Sequence, residues 1–431
     1  MDRKRLYGIF KGDKGIWMIY LFLCLISIVE VYTASSQLTY RAGSNFMAPW
    51  IKHVVIMVGG LVAMLATLNV PCRYYKIINL PLVGVSIVLL AVVFIIGQST
   101  NGAQRWIPLL GMQFQPSEIA KGSLVLWTAV ILSATQTDKG ADKRAMFYVL
   151  LPCLAIIPLI MSENLSTAAL LCLVLVLMMF IGRVPLTQLG KLIGLGTLVV
   201  GAFLAFVMLA GTAPQQEQPT QTAYVQNADG TTVRETTQKK EGGGFMGRIG
   251  TWKGRIMRFS SNENLSPKDV DLRDKGAQAA HADIAIATSN IIGKGIGNSE
   301  ECDFLSQAYS DFIYAIIIEE MGIAGAVFVA LLYVFLLVRA GRIARRCENN
   351  FPALLAMGLA LLIVVQALFN MCVAVGLVPV TGQPLPLVSK GGTSTIINCI
   401  YLGAILSISR TAKKKDGKTQ AKQPAVATVT A

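Results

Sequence analysis

Histidine is nearly absent from this 431-residue chain: His53 and His281 are the only two. No CxxC pair and no Cys/His cluster occurs, which excludes a zinc centre of ordinary ligand spacing. The eight cysteines are scattered. Cys24, Cys153, Cys172, Cys372 and Cys399 fall in apolar runs, Cys72 and Cys347 near the ends of such runs, and Cys302 in a long polar stretch with no evident partner. A disulfide framework is therefore not expected. Charge is scarce too, 14% of residues against 54% hydrophobic ones. That balance excludes an ordinary soluble domain and indicates a polytopic membrane protein. No cleavable signal peptide is evident, because the first apolar run, 16–36, lacks a small-residue cleavage site and is long enough to stay as a span. No internal repeat is visible, which weighs against an inverted-repeat transporter.

Apolar stretches of about spanning length fall near residues 16–36, 50–70, 77–97, 117–135, 146–162, 167–183, 189–211, 321–341, 353–376 and 391–410. The expected fold is all-α: a polytopic integral membrane protein of about ten transmembrane helices, with a large extracytoplasmic loop, 212–310, between helices seven and eight. The fifth and sixth stretches lie so close that a merged count stays open.

The formal net charge of +14 does not read as a nucleic-acid surface. Lys and Arg crowd the ends of apolar segments: Arg3, Lys4, Arg5, Lys11 and Lys14 before the first, Arg410, Lys413, Lys414 and Lys415 after the last. Such crowding is an orientation signal, and no nucleic-acid partner is expected. Short loops holding Arg73 and Lys76, then Lys139, Lys143 and Arg144, then Arg183 and Lys191, then Arg339, Arg342, Arg345 and Arg346 mark the inside; the opposite loops hold only Arg41, Arg105 and Lys390. Both ends are thus expected in the cytoplasm, with segment 1–15 and a basic tail, 411–431, flanking a membrane domain, 16–410.

The long loop has two parts. Residues 212–244 are polar, poor in apolar anchors and expected to be disordered. Residues 245–310 mix basic and apolar residues, could lie at the membrane surface, and hold a helical pattern, AQAAHADIAIATSN, followed by a glycine-bearing turn.

Four patches break the apolar monotony, all on the predicted outer side. The first, 101–121, carries Arg105 and Trp106 in a loop and Pro116 at a favoured helix start. Its Glu118 and Lys121 are three apart and can pair on one helix face; an interfacial anchor and a structural ion pair would explain the same residues. The second, SENLSTA at 162–168, lets Asn164 cap the sixth helix. The third is GKGIGNSEECDFLSQAYSDFIYAIIIEE. Its alternating Gly293, Gly295 and Gly297 permit close backbone approach to a bulky ligand. Asp311 stands where polar loop gives way to apolar helix, as a functional acid or an N-cap. Glu319 lies eight residues on, about 12 Å along a helix, too far to pair with Asp311 around one bond. The fourth, 376–395, has prolines and glycines at membrane depth, where irregular backbone persists only in protein or around a wet cavity. Its Lys390, beside Gly391 and Gly392, could meet a phosphate.

Together these patches resemble the SEDS family of peptidoglycan polymerases, the FtsW/RodA group. The runs at 101–106 and 115–121, at 293–299 and 311–322, and at 377–394 match its motifs in order and spacing. There are departures: Ser162, Glu163 and Asn164 stand where the family usually has QPD, and LSQAYSD replaces its usual approach to the acid. The resemblance implies polymerisation of lipid II into β-1,4 glycan at the outer face of the cytoplasmic (inner) membrane. It implies Asp311 as the catalytic base, with Arg105, Trp106, Glu118, Lys121, Gln278, Gly295, Gly297, Ser299, Glu319, Ser389, Lys390, Gly391 and Gly392 on the substrate. It further implies a divalent cation, Mg2+ or Mn2+, with no ligand set read from the sequence. The implied partners are lipid II, a class B penicillin-binding protein, other divisome membrane proteins and membrane lipid. The basic tails look more like the division branch than the elongation branch. A lipid II flippase and a non-catalytic divisome scaffold are the competing readings.

Overall fold

The computed structural model describes residues 11–41, 47–96, 98–100, 103–109, 112–138, 140–210, 223–226, 232–235, 249–250, 252–254, 257, 277–305 and 309–420. Its main helices are α1 (Lys14–Arg41), α2 (Met47–Leu68), α3 (Cys72–Ile96), α4 (Pro116–Ala134), α5 (Ala145–Glu163), α6 (Leu165–Ile181), α7 (Leu186–Ala210), α8 (Ala277–Thr288), α9 (Ile313–Arg345), α10 (Asn350–Ala374) and α11 (Thr393–Gln420). Among the described residues nine are long and apolar enough to cross a membrane, and α6 is a shorter apolar helix. The ten expected stretches are these ten elements, α8 being the helix read within the long loop.

Two departures from expectation concern β-structure. The loop before α4 forms a three-stranded antiparallel sheet, β1 (Gln98–Thr100), β2 (Ala103–Leu109) and β3 (Met112–Phe114), with β2 central. Residues 212–244, expected to be disordered, include an antiparallel pair in which residues 223–226 oppose 232–235. Polar strands this short carry no alternation from which to read them.

Packing follows from small residues on helix faces. α11 lies against α2, where a β-carbon on Gly60 would stand 2.8 Å from the Cys399 sulfur and one on Gly403 2.6 Å from the Met64 carbonyl oxygen. Such close approach is how membrane helices associate when lipid removes the hydrophobic drive. The α11 and α10 spans are the most buried, whereas α7 is almost wholly exposed and faces outward.

One ion pair ties the start of α1 to the end of α9. Asp13 Oδ1 accepts from the Gly15 and Ile16 amides at the start of α1. The same carboxylate takes both Arg339 Nε (2.9 Å) and Arg339 Nη2 (2.6 Å) from the C-terminal part of α9. Lys14, Arg346 and Ser409 of α11 line the same small cavity. The start of α1, the end of α9 and the end of the α11 span therefore share one face, with the basic residues.

Candidate active site

The opposite face is built around an interruption in α9. Gly322 has φ 71° and ψ −175°, so the helix stops and restarts there. The break orphans carbonyls on one side and amides on the other. The segment 290–295 satisfies both sets. The amides of Lys294 and Gly295 donate to the carbonyls of Glu319 and Glu320, each at 2.9 Å. The amides of Ile323 and Ala324 donate to the carbonyls of Asn290 and Ile291, at 3.3 and 3.2 Å. Gly293, at φ 85°, lies so close that a β-carbon would overlap the Glu320 carbonyl oxygen, and one at Gly322 would overlap that of Ile291. Glycine is the residue that allows two backbones to meet in this way.

This docking brings polar groups onto Glu319. Its carboxylate, fully buried, accepts from Lys294 Nζ (2.8 Å), Ser299 Oγ (2.5 Å) and the Glu300 amide (3.1 Å). The Glu319 hydrogen bond is the main cause holding the Lys294 amine above its ordinary pKa. Glu320 accepts from Thr33 Oγ1 of α1 and from the amides of Gly297 and Ser299. Glu30 of α1 stands near it, fully buried, and neither of its carboxyl oxygens has a hydrogen-bond partner among the described residues.

Asp311 sits on the turn that leads into α9. It does not cap the helix: Phe312 occupies the N-cap, without a side-chain bond. Three consecutive carbonyls of the turn are each gripped from outside it. The Lys390 amide donates to Tyr309 O (2.9 Å), Ser389 Oγ to Ser310 O (2.5 Å) and Asn370 Nδ2 to Asp311 O (2.9 Å). The Asp311 carboxylate is half-buried and accepts from Ser310 Oγ at 3.1 Å. Lys390 places its ammonium 4.6 Å from the Tyr309 ring centroid. Burial, and secondarily Lys52, pushes its pKa down.

The irregular run 376–392 supplies Ser389 and Lys390. It is tolerated because helix-borne donors meet its carbonyls. Asn370 donates to Gln383 O, Gln366 to Pro384 O, Tyr333 to Pro386 O and Ser27 to Val388 O.

The predicted site residues divide on this geometry. Asp311, Ser389 and Lys390 come together; Glu319, Ser299, Gly295 and Gly297 form a second group under the glycine segment. Glu118 and Lys121 pair at 2.9 Å, yet they are 2% and 1% exposed and Lys121 also reaches Gln366 Oε1 at 2.8 Å. They are a sealed internal pair, so substrate contact is withdrawn for them. Ser389 and Glu319 are likewise occupied with the protein itself. Gly391 packs on Ser394 and Gly392 faces the Gln113 carbonyl of β3, so both shape the loop. Trp106 lies half-buried in β2, and Gln278 is half-buried on α8. The backbone of Arg105 is in β2, and its side chain lies outside the described residues. Asn164 caps α6 by accepting from the Ser166 amide, as its residue type suggested. None of the eight cysteines forms a disulfide.

Sequence reasoning missed Lys294, Gln366, Asn370 and Gln383. For Gln366 and Asn370 a signal existed: two amides four residues apart in an apolar helix, where polar groups are costly. The implied divalent cation finds no protein cage, since among the described residues no group of three or more His, Cys, Asp or Glu could hold a metal. Glu319 is already engaged by Lys294, Ser299 and the Glu300 amide.

Residues 13–231 and 244–414 match the profile of the FtsW/RodA/SpoVE family, described as cell cycle proteins. The probable peptidoglycan glycosyltransferase FtsW of Nitrosomonas europaea is 31% identical over 404 residues, covering 90% of this chain and 90% of that one. That of Bacillus subtilis is 27% identical over 418 residues, 96% of this chain and 94% of that one. A chain from a solved peptidoglycan synthase complex, described as showing structural coordination of polymerization and crosslinking, superposes with a TM-score of 0.67 at 24% identity, covering 93% of this chain and 98% of its own. The Thermus thermophilus rod shape determining protein RodA does so with 0.60 at 22% identity, covering 93% and 97%. These two likenesses show the fold.

Proposed function

Since the chain belongs to the FtsW/RodA/SpoVE family of cell cycle proteins, we propose that its outer-face site polymerises lipid II, with Asp311 as the general base. The enzyme is a peptidoglycan glycosyltransferase, as its curated relatives are named. The observation that carries the assignment of the base is the turn at 309–311. A half-exposed carboxylate stands at a loop–helix junction, its main chain held at three successive carbonyls, with the Lys390 ammonium over the ring of Tyr309 in the same turn. A base must be held within hydrogen-bond reach of the hydroxyl it deprotonates. Asp311 takes the proton of the acceptor sugar hydroxyl as that oxygen attacks the anomeric carbon of the lipid-linked donor. The bond to the undecaprenyl pyrophosphate breaks, and attack from the opposite side turns an α-linked donor into a β-1,4 glycan. Lys390 and Arg105 offer positive charge to the departing pyrophosphate.

The face bearing Asp311 is the outer face of the cytoplasmic membrane, and the face bearing Asp13, Arg339 and Arg346 is cytoplasmic, in keeping with the inside rule for basic residues. A class B penicillin-binding protein is the proposed partner, supported by the likeness to a chain from a complex in which polymerization and crosslinking are coordinated. The test is glycan synthesis from lipid II by the purified chain, alone and with its cognate transpeptidase. A positioned base contributes about 10²–10⁴-fold, so folded Asp311→Asn should fall to near background. Substantial polymerisation by that variant removes Asp311 from the role.

A further inference from the structure

Gln366 and Asn370 stand four residues apart on α10 and so share one face of the helix. They are 1% and 0% exposed. Each turns its side-chain amide toward the main chain of the irregular run. Gln366 Nε2 donates to Pro384 O at 3.2 Å. Asn370 Nδ2 donates to Gln383 O at 2.7 Å and, with its second proton, to Asp311 O at 2.9 Å. Behind them, Gln366 Oε1 accepts from Lys121 Nζ at 2.8 Å, and Lys121 pairs with Glu118 at 2.9 Å. Gln383 is itself tethered, its Nε2 donating to Thr167 Oγ1 of α6 at 2.6 Å. One buried chain of polar groups thus runs from an ion pair inside the membrane domain to the peptide that carries the acid. It touches α4, α6, α10, the irregular run and the turn before α9.

We propose that Asn370 is a positioning residue for Asp311, and that Gln366, backed by Lys121 and Glu118, fixes the stretch of loop on which Asn370 bears. Asp311 has no helix of its own to orient it. The rotation of its peptide sets the direction of its Cα–Cβ bond, and Asn370, itself fully buried, grips that peptide's oxygen from a largely buried helix. An amide is suited to this task because its two protons are fixed in one plane and can bind two segments at once. Here the two segments are the two halves of the site: the acid's turn and the run that bears Ser389 and Lys390. Glu118 Oε2, Asn370 Oδ1 and Gln383 Oε1 find no hydrogen-bond partner among the described residues, so the hold comes from the donors, each of which is engaged by the protein where a broken bond is not replaced by water. The same chain explains why a carboxylate and an ammonium lie sealed at membrane depth without facing any opening. This inference rests on the polymerase reading above.

The test is steady-state kinetics of lipid II polymerisation by the full chain with its transpeptidase partner. Asn370→Leu keeps the volume and removes both donors, and Asn370→Asp keeps the shape and leaves at most one donor, the hydroxyl of the neutral acid, for two carbonyls. In each, kcat should fall about 10–100-fold, the effect of misplacing a reacting group by an ångström or less, while KM stays within about threefold of wild type. Asn370→Ser retains a single hydroxyl donor and should recover part of the lost kcat, which mere core filling would not do. It also decides the matter if the other two variants do not fold: a lowered kcat at unchanged KM upholds the role, and a wild-type kcat ends it. A folded Asn370→Leu or Asn370→Asp with kcat within about twofold of wild type, or a loss confined to KM, overturns the proposal. Asp311→Asn run alongside separates the two readings. If Asp311→Asn polymerises, the base assignment has failed; if it is silent while Asn370→Leu is fully active, the positioning role alone has failed.

Discussion

Alanine at Gly322 should undock the segment 290–295 from α9. The backbone there, φ 71° and ψ −175°, belongs to a region that essentially only glycine occupies, and a side chain adds about 1–3 kcal/mol. The strain cannot be absorbed in place, because the new methyl overlaps the Ile291 carbonyl oxygen. The segment must lift, and with it go four main-chain bonds: Lys294 to Glu319, Gly295 to Glu320, Ile323 to Asn290 and Ala324 to Ile291. At about 0.5–1.5 kcal/mol net each, these sum to about 2–6 kcal/mol. Solvent will satisfy some of the exposed groups, so we expect docking to weaken by about 3 kcal/mol or more. That corresponds to roughly a 100-fold rise in the opening equilibrium. Hydrogen exchange in detergent micelles reads it directly at the amides of Lys294 and Gly295. Polymerisation should fall with it, since Glu319 loses Lys294 and Ser299 together. Gly293→Ala, which meets the Glu320 carbonyl from the other side, should reproduce the effect. Exchange at 294 and 295 within about threefold of wild type in Gly322→Ala would refute the reasoning.

Lys294 gives a pH dependence with a definite sign. Its folded pKa is raised by Glu319, so its contribution is complete below the unfolded value of about 10.4 and is lost as pH rises through the higher folded value. Docking of the segment should therefore be flat near neutrality and melt in strong alkali, a limb that Lys294→Met should abolish in exchange measured against pH. Glu30→Met should raise the thermal unfolding midpoint, because a carboxyl buried without a hydrogen bond costs about 1–3 kcal/mol; a lower midpoint would show that Glu30 has a partner in the membrane. For orientation, a cysteine placed at Asp229 in a cysteine-free chain should label from outside intact cells, and labelling only after permeabilisation would invert the topology.

The membrane helices were legible because apolar length and basic ends are local signals. The i,i+3 pairing of Glu118 with Lys121 was legible for the same reason; its third member, Gln366, lies far along the chain, and nothing in either segment announces the other. The glycine alternation at 293–297 suggested close approach to a ligand, whereas Gly293 meets the broken helix α9, a partner visible only once Gly322 is seen to leave the helical region. Asp311 stood out as an acid at a polar–apolar boundary. What holds it did not, because Asn370, Ser389 and the Lys390 amide all bind oxygen atoms that carry no residue identity. The sheet before α4 was missed because its short strands, with a proline in β2, lack alternation.

That last grip has an evolutionary consequence. The location of the acid is written in carbonyls, which every amino acid supplies, so it is insulated from the spelling of the residues just before it. LSQAYSD in place of the usual family approach therefore leaves the grip on the turn at 309–311 in place. Between two such chains, identity across the segment preceding the acid is a poor gauge of shared activity. The better gauge lies at distant positions, an amide at 370 and a hydroxyl at 389, whose loss would set the acid adrift without altering a letter near it.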